Sequence, residues 1–261
     1  MSIAYAAQDS ATMIGRELRH VIRYPLIIVA SIGLPVLMFL LFVYVFGDAV
    51  AAGLDQGTNP VSYVDFLAPG ILVMTIAAGA LPSSISVATD MSEGIIDRFR
   101  TMPIARGAVL TGHVVGGIIR TMVTATILTG VALLVGFRPQ AGPLEWLAAA
   151  GVVLASAFAL TWLSVALGLA AKTPTGANSG AQLISSVLPF LSSAFVPTKS
   201  MAPGIRWFAE YQPFTPIVNS LRALLLGTPV GDNVILALAW CAMIALVGSV
   251  WAGAKFRTKT A

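Results

Sequence analysis

Charged side chains are scarce in this sequence. Of its 261 residues, 57% are hydrophobic and only 10% are charged, whereas soluble globular domains carry about 25% charged residues. The low charge and the repeated long apolar runs together indicate a protein that crosses a membrane several times. The net charge of +4 does not indicate nucleic-acid binding, because no soluble fold is expected that could carry a basic patch. We therefore predict a single transmembrane domain over residues 1–261.

Cysteine, histidine and nucleotide-binding motifs are scarce or missing as well. One cysteine, Cys241, cannot form an intramolecular disulfide, and it lies in an apolar run. His20 and His113 are far apart in sequence, and HExxH and GxSxG motifs are missing, so we expect neither a metal site nor an intramembrane hydrolase. The phosphate-binding pattern GxxxxGK[ST] is also missing. This chain is therefore not expected to bind ATP or another cofactor itself.

Six apolar runs are long enough to cross a bilayer. A helix rises 1.5 Å per residue, so about 20 residues cross a hydrocarbon core of about 30 Å. The fifth run is the shortest and contains Pro189. We predict an all-α integral membrane protein with six transmembrane helices. These cover Leu26–Gly47, Val64–Ala88, Val114–Phe137, Glu145–Ala171, Asn178–Pro197 and Val234–Ala254.

Basic residues are distributed unevenly between the loops. If both termini are cytoplasmic, 11 of the 15 Lys and Arg residues lie on that side, all except Arg138, Lys199, Arg206 and Arg222. This bias predicts an N-in, C-in orientation. Arg120 lies about 9 Å inside the third run, and we expect its side chain to snorkel to the cytoplasmic face.

Residues 1–25 precede the first run and have an amphipathic pattern. Apolar side chains recur at helical spacing between Ile14 and Ile22, and Arg16, Arg19 and Arg23 lie on the other side. The pattern favours a helix in the inner membrane interface. The alternative is a disordered basic tail that only sets the topology.

The segment 198–232, before the last run, is predicted to be external. It is too rich in proline and polar residues to span a membrane, yet aromatic residues such as Trp207 and Tyr211 make it too apolar for a solvated loop. Short amphipathic helices against the outer leaflet would explain both features, because Trp and Tyr favour the interface. Alternatively, part of the segment is re-entrant, with its backbone buried in protein.

Six charged side chains interrupt the apolar sequence within "TDMSEGIIDRFRTMPIARGAVL", Thr89–Leu110. Asp90 and Glu93 have the spacing of a helix cap and its reciprocal partner, and Pro103 is expected to end the helix. Gly94 costs about 1 kcal/mol relative to alanine in a helix, which close approach of another backbone would explain. We predict a short helix over residues 91–102 with one apolar face. Such a helix suits either docking into a groove of a soluble protein or packing on lipid headgroups.

The same segment carries a family resemblance. "SEGIIDRFRTMPIARGAVLTGHVV" resembles the Glu-Gly and "MPI.R" segment of ABC-2-type permeases, above all the daunorubicin-resistance-type drug and lipid exporters. "MAPGIRWFAEYQPFTPIVNSLRALLLG" is similar to the signature that precedes their last span. The resemblance implies that residues 1–25 form an elbow helix and that loop 89–107 holds the coupling helix, which docks on a separate ATP-binding subunit. The implied docking residues are Ser92, Glu93, Gly94, Ile95, Ile96, Asp97, Arg98, Phe99 and Arg100.

The resemblance also implies a location and a function. The location would be the cell (cytoplasmic) membrane of a bacterium, as a multi-pass protein. The chain would be the permease subunit of an ATP-driven exporter of hydrophobic or amphipathic drugs or lipids. It would pair with an identical or homologous permease and with two copies of an ABC ATPase that bind ATP and Mg²⁺. The alternative is an ion-coupled secondary transporter, which the near absence of ionisable residues inside the runs disfavours.

An apolar or amphipathic cargo would need an apolar path at the permease interface. The residues that could line it are large and apolar and belong to the first, second and fifth runs. For each of them, ordinary packing or lipid contact is the alternative. They are Met38, Phe39, Phe42, Phe66, Met74, Phe190, Leu191 and Phe195.

Overall fold

A computed structural model describes Gly15 and residues 25–45, 63–94 and 106–259 of the chain. Every regular element in these ranges is helical, as the all-α prediction requires. The first helices are α1 (Pro25–Tyr44), α2 (Tyr63–Ser92), α3 (Arg106–Val135) and α4 (Pro143–Ala170). The elbow-helix residues Arg16, Arg19 and Arg23 lie outside the described residues.

The second half of the chain alternates short and long helices. α5 (Pro174–Gln182) continues through a π-helical turn, Leu183–Val187, into α6 (Leu188–Phe190). A 3-10 turn, Thr198–Ser200, precedes α7 (Pro203–Tyr211) and α8 (Phe214–Leu226). The last helix, α9, covers Asn233–Lys259.

Four helices of the described ranges are long and apolar enough to cross a membrane: Tyr63–Ser92, Leu110–Val135, Pro143–Ala170 and Asn233–Thr258. They confirm the second, third, fourth and sixth predicted runs. α1 coincides with the first run, and its 20 residues extend over about 30 Å. Six spans and the N-in, C-in orientation stay predictions.

The predicted fifth run is not one continuous helix. The helical ladder changes to π geometry at Leu183–Val187, and the chain turns away after Phe190. Pro189 has no N–H for the ladder. Beyond it, the Ser192 hydroxyl donates to Pro189 O (2.6 Å) and accepts from Ala194 N (3.2 Å). A side chain thus replaces backbone partners, which favours a turn over a helix.

α2 is the central helix and packs against α1, α3, α4, α5 and α8, whereas α9 packs mainly along α4. Small residues set these contacts. A Cβ added to Gly79 would lie 2.7 Å from Thr121 Oγ1, and one added to Gly248 would lie 2.9 Å from Leu163 N. Helices in a membrane associate through such close backbone approach, since lipid provides no hydrophobic driving force.

Candidate functional site

The predicted docking segment begins where α2 ends. Glu93 N donates to Thr89 O (2.9 Å), and Gly94 has φ +67°, in the left-handed region. Glycine commonly ends helices in this way because it has no Cβ to clash. No described residue would lie within 4 Å of a Cβ on Gly94, and its left-handed backbone conformation by itself explains the glycine.

The predicted cap at Asp90 is wrong. Asp90 lies inside α2, because the helix continues through Ser92, and its side chain is buried. Ser92 and Glu93 are exposed at the helix end. The other predicted docking residues, Ile95–Arg100, lie outside the described residues.

A buried polar pair joins α2 and α3 beside this segment. His113 Nε2 of α3 lies 3.1 Å from Asp90 Oδ2 of α2, and the two side chains are only 4% and 8% exposed. His113 Nδ1 lies 3.5 Å from Ser86 Oγ. With a neutral ring, Nε2 donates to the carboxylate and Nδ1 accepts from the hydroxyl. The pair closes the hairpin between residue 90 and residue 113, so the docking segment is held at both of its ends.

Sequence reasoning missed this pair because it treated His113 as an isolated residue near the surface. The signal was available in the spacing. Asp90 lies near the end of one run and His113 near the start of the next, and consecutive antiparallel helices bring such positions together.

Arg120 does not snorkel to the membrane surface, contrary to the prediction. It is 6% exposed, and its Nη2 donates to Ser83 Oγ (3.0 Å) while its Nε donates to Gly79 O (3.4 Å). Hydropathy could not reveal this, because the acceptors belong to the neighbouring helix α2. The missing Gly79 side chain leaves its carbonyl accessible to the guanidinium.

The structure brings together three of the predicted cargo-path residues. Phe195 stacks on Phe190 with ring centroids 4.8 Å apart and lies at the same distance from Phe42 of α1. Phe190 is 45% exposed, so this aromatic cluster reaches the surface of the bundle. Leu191 is partly buried in the turn that links Phe190 to Phe195.

The other predicted path residues belong to or pack against the same core as Phe195. Phe39 and Met74 are buried in the main core, and Met38 packs against it. Packing, the alternative reading, therefore describes Phe39 and Met74 better. Phe66 lies under Arg222, whose guanidinium carbon is 3.9 Å from the ring centroid.

Arg222, which the loop count assigned to the external side, has a partly buried side chain that bonds to other parts of the fold. Its Nη2 donates to Phe66 O (3.1 Å) and Ser193 O (3.0 Å), and its Nη1 donates to Asn219 Oδ1 (3.1 Å). Burial lowers the pKa of the Arg222 guanidinium to about 10, so it remains charged at neutral pH. Arg222 thereby ties α8 to the start of α2 and to the turn after α6.

The two short helices of segment 198–232 differ. α7 is amphipathic and exposes Trp207 and Tyr211, whose rings lie 5.5 Å apart. α8 is mostly buried and ends at Gly227 in the left-handed conformation. α7 fits the interfacial interpretation of this segment, and α8 fits the re-entrant one.

These features define a class of protein. Long apolar helices packed through glycines, with a short buried helix beside them and a buried polar pair that joins α2 and α3, describe an integral membrane protein with several spans. The sequence model of the ABC-2 type transporter matches residues 9–226, which is most of the chain. The chain therefore belongs to the ABC-2 type transporter family.

Curated relatives agree with this membership. The daunorubicin resistance ABC transporter permease protein DrrB1 of Streptomyces coeruleorubidus is 27% identical over 225 residues, covering 86% of this chain and 77% of the relative. The probable doxorubicin resistance ABC transporter permease protein DrrC of Mycobacterium tuberculosis is 27% identical over 226 residues, covering 85% and 79%. The inner membrane transport permease YadH of Escherichia coli K12 is 20% identical over 211 residues, covering 80% of each chain.

Proposed function

We propose that this chain is the permease subunit of an ATP-driven exporter whose ATPase is a separate polypeptide. The observation that carries the proposal is the family match over residues 9–226. Two permeases, identical or homologous, would pair with two ATPase subunits that bind ATP and Mg²⁺. The sequence contains no phosphate-binding GxxxxGK[ST] pattern, which agrees with ATP binding by a separate subunit.

The hairpin between α2 and α3 is the proposed point of contact with the ATPase. The predicted helix over residues 91–102 would dock there, with Ser92 and Glu93 exposed near its beginning. The buried pair Asp90–His113 makes the two helix ends move together, because a displacement of one would break a 3.1 Å contact. Closure of the ATPases on ATP would thus be passed to both helices at once.

Arg120 would carry the same movement further along the helices. It lies about two turns beyond His113, at 1.5 Å per residue, and is hydrogen-bonded to Gly79 and Ser83 of α2. A helix pair with two buried polar ties shifts as a unit, since each tie is expensive to break in a low-dielectric interior. This unit can bias inward against outward access, as alternating access requires.

The proposed cargo is hydrophobic or amphipathic. In the aromatic cluster of Phe42, Phe190 and Phe195, Phe190 is 45% exposed and presents an aromatic ring to the outside of the bundle. Aromatic rings prefer offset or edge contacts with other rings, so a planar aromatic drug suits this surface. Daunorubicin and doxorubicin, named in two relatives, are the first compounds to test.

Co-purification tests the proposed partner. The chain is co-expressed with its candidate ABC ATPase and purified in detergent, and the ATPase recovered per permease is measured. Glu93→Arg should lose the ATPase while keeping normal membrane insertion. The matched control is Glu210→Arg, which also reverses an exposed charge but lies on α7, in an exposed pair with Arg206 (2.8 Å). Equal recovery with both variants would reject the docking site, and no recovery with wild type would reject the ATPase partner.

One observation favours the ion-coupled alternative, namely the buried titratable pair Asp90–His113. Proton-coupled transporters bury such groups. The two functions differ in energy source. Drug movement in vesicles that persists without ATP, and that stops when the proton gradient is dissipated, would support ion coupling. Movement that needs ATP and the ATPase would support the exporter.

A further inference from the structure

A groove separate from the aromatic cluster opens on another side of the bundle. It lies among α2, α3, α4 and α8 near the turn that joins α3 to α4, and its volume is about 440 Å³. Leu72, Met122, Phe137 and Trp146 form its apolar walls. Clefts of about 300–1,000 Å³ commonly bind small ligands.

The two hydroxyls inside the groove use their hydrogens within α3. Thr126 Oγ1 donates to Met122 O and Thr129 Oγ1 donates to Ala125 O, each at 2.8 Å. With few polar atoms on its walls, the groove suits a hydrocarbon chain. Gly130 leaves it open, because nothing would lie within 4 Å of a Cβ at that position.

The rim of the groove, by contrast, is charged. Arg138 is exposed, and its Nη1 is held by Leu133 O (3.1 Å) and Phe137 O (3.3 Å), the carbonyls of two groove residues. Its Nε and Nη2 donate to no residue within the described ranges. They point to a phosphate as ligand, because guanidinium groups form strong bonds with phosphate oxygens.

Two carboxylates lie close to the α3–α4 turn that borders the groove. Glu145, next to Trp146, accepts from Gly142 N through Oε2, while its Oε1 bonds to no described residue. Asp65 Oδ1 accepts from Arg138 N (2.9 Å). A purely anionic headgroup would face these carboxylates, whereas a headgroup with both a phosphate and an ammonium group matches a rim of mixed charge.

We propose that this groove binds phosphatidylethanolamine, with an acyl chain inside the groove, the phosphate on Arg138 and the primary ammonium on Glu145. Phosphatidylcholine has no N–H on its ammonium group and cannot donate a hydrogen bond to a carboxylate. Phosphatidylethanolamine should therefore bind about two- to fivefold more tightly, the range of an exposed ion pair. The site needs only a membrane protein with this fold, so it stands or falls independently of ATP-driven export.

Quenching of Trp146 by bromine on the acyl chains tests the site. The full chain is placed in vesicles of phosphatidylethanolamine and phosphatidylcholine at constant composition, and only the brominated component is exchanged. The contribution of Trp146 is the difference between wild type and Trp146→Phe. We expect stronger quenching when phosphatidylethanolamine carries the bromine.

Three variants separate the parts of the site. Gly130→Leu should fill the groove and remove the Trp146 quenching by both lipids, whereas Gly151→Leu should not, because Gly151 of α4 also faces open space but does not line the groove. Arg138→Gln should weaken both lipids. Glu145→Gln keeps an acceptor for Gly142 N and should remove only the preference.

Two results would overturn the proposal. If Gly130→Leu is quenched as strongly as Gly151→Leu, the acyl chain does not occupy the groove. If wild type shows no preference for phosphatidylethanolamine, or if Glu145→Gln retains the preference, Glu145 does not select the headgroup.

Discussion

Removal of the Asp90 carboxylate should destabilise the protein through one identifiable contact. In the wild type, His113 Nε2 lies 3.1 Å from Asp90 Oδ2, and both side chains are over nine-tenths buried. Asp90→Ala removes this acceptor from a buried ring nitrogen. Ser86, at 3.5 Å, faces the other ring nitrogen and cannot replace it.

The expected loss follows from breaking this buried hydrogen bond to a carboxylate, about 1–3 kcal/mol. For a protein of this size, each kcal/mol shifts the melting temperature by about 2–4 °C. Asp90→Ala should therefore lower it by about 2–12 °C. Asp90→Asn retains an acceptor oxygen and should lose less.

A double-mutant cycle distinguishes this contact from general loss of packing. Melting temperatures of Asp90→Ala, His113→Ala and the double variant are measured in detergent from the loss of the monodisperse peak. The double variant should cost less than the sum of the singles, with a coupling energy of about 0.5–3 kcal/mol. Ser92→Ala, at the exposed end of α2, should change stability by less than about 0.5 kcal/mol. Additive effects of Asp90 and His113 would refute a coupled pair.

Two further predictions concern packing and the buried cation. Gly168→Ala should lower stability by about 1–3 kcal/mol, because the new Cβ would meet backbone atoms of Ser84. Gly151→Ala, on the same helix but with no described residue near its Cβ, should raise stability by up to about 1 kcal/mol. Thermal denaturation that shows the same sign for both variants would contradict the helix contact. Arg222→Lys should destabilise the protein by roughly 1.5–3 kcal/mol, since one ammonium cannot match the planar guanidinium that bonds Phe66 O and Ser193 O. A melting temperature equal to that of wild type would show that these guanidinium contacts do not stabilise the fold.

The long spans could be predicted because hydropathy over about 20 residues reports a local property of the chain. Val64–Ala88 and Val234–Ala254 both fall inside observed helices, Tyr63–Ser92 and Asn233–Lys259. The predictions ended earlier than the helices, because polar residues such as Asp90 continue α2 without contributing apolar character. The prediction of one continuous helix over the fifth run was wrong, because hydropathy does not report the π turn and the proline that interrupt the helix.

The polar contacts could not be predicted from composition, because they depend on which helices are neighbours. Arg120 bonds to Gly79, 41 residues away, and Arg222 to Phe66, 156 residues away. Sequence reasoning placed Arg120 at the cytoplasmic face and Arg222 in the external segment, without partners for either. An arginine leaves water without a large cost only when packing supplies carbonyl or hydroxyl acceptors, and α2 supplies such acceptors in both cases.

Drug movement in reconstituted vesicles tests most directly the claim that the α2–α3 hairpin couples an ATPase to this permease. The chain and its candidate ATPase are inserted together, and ATP-dependent uptake of daunorubicin is followed. Uptake should require both ATP and the ATPase, should be lost in Glu93→Arg, and should persist in Glu210→Arg. Uptake by Glu93→Arg at the wild-type rate, or wild-type uptake without ATP, would contradict the account.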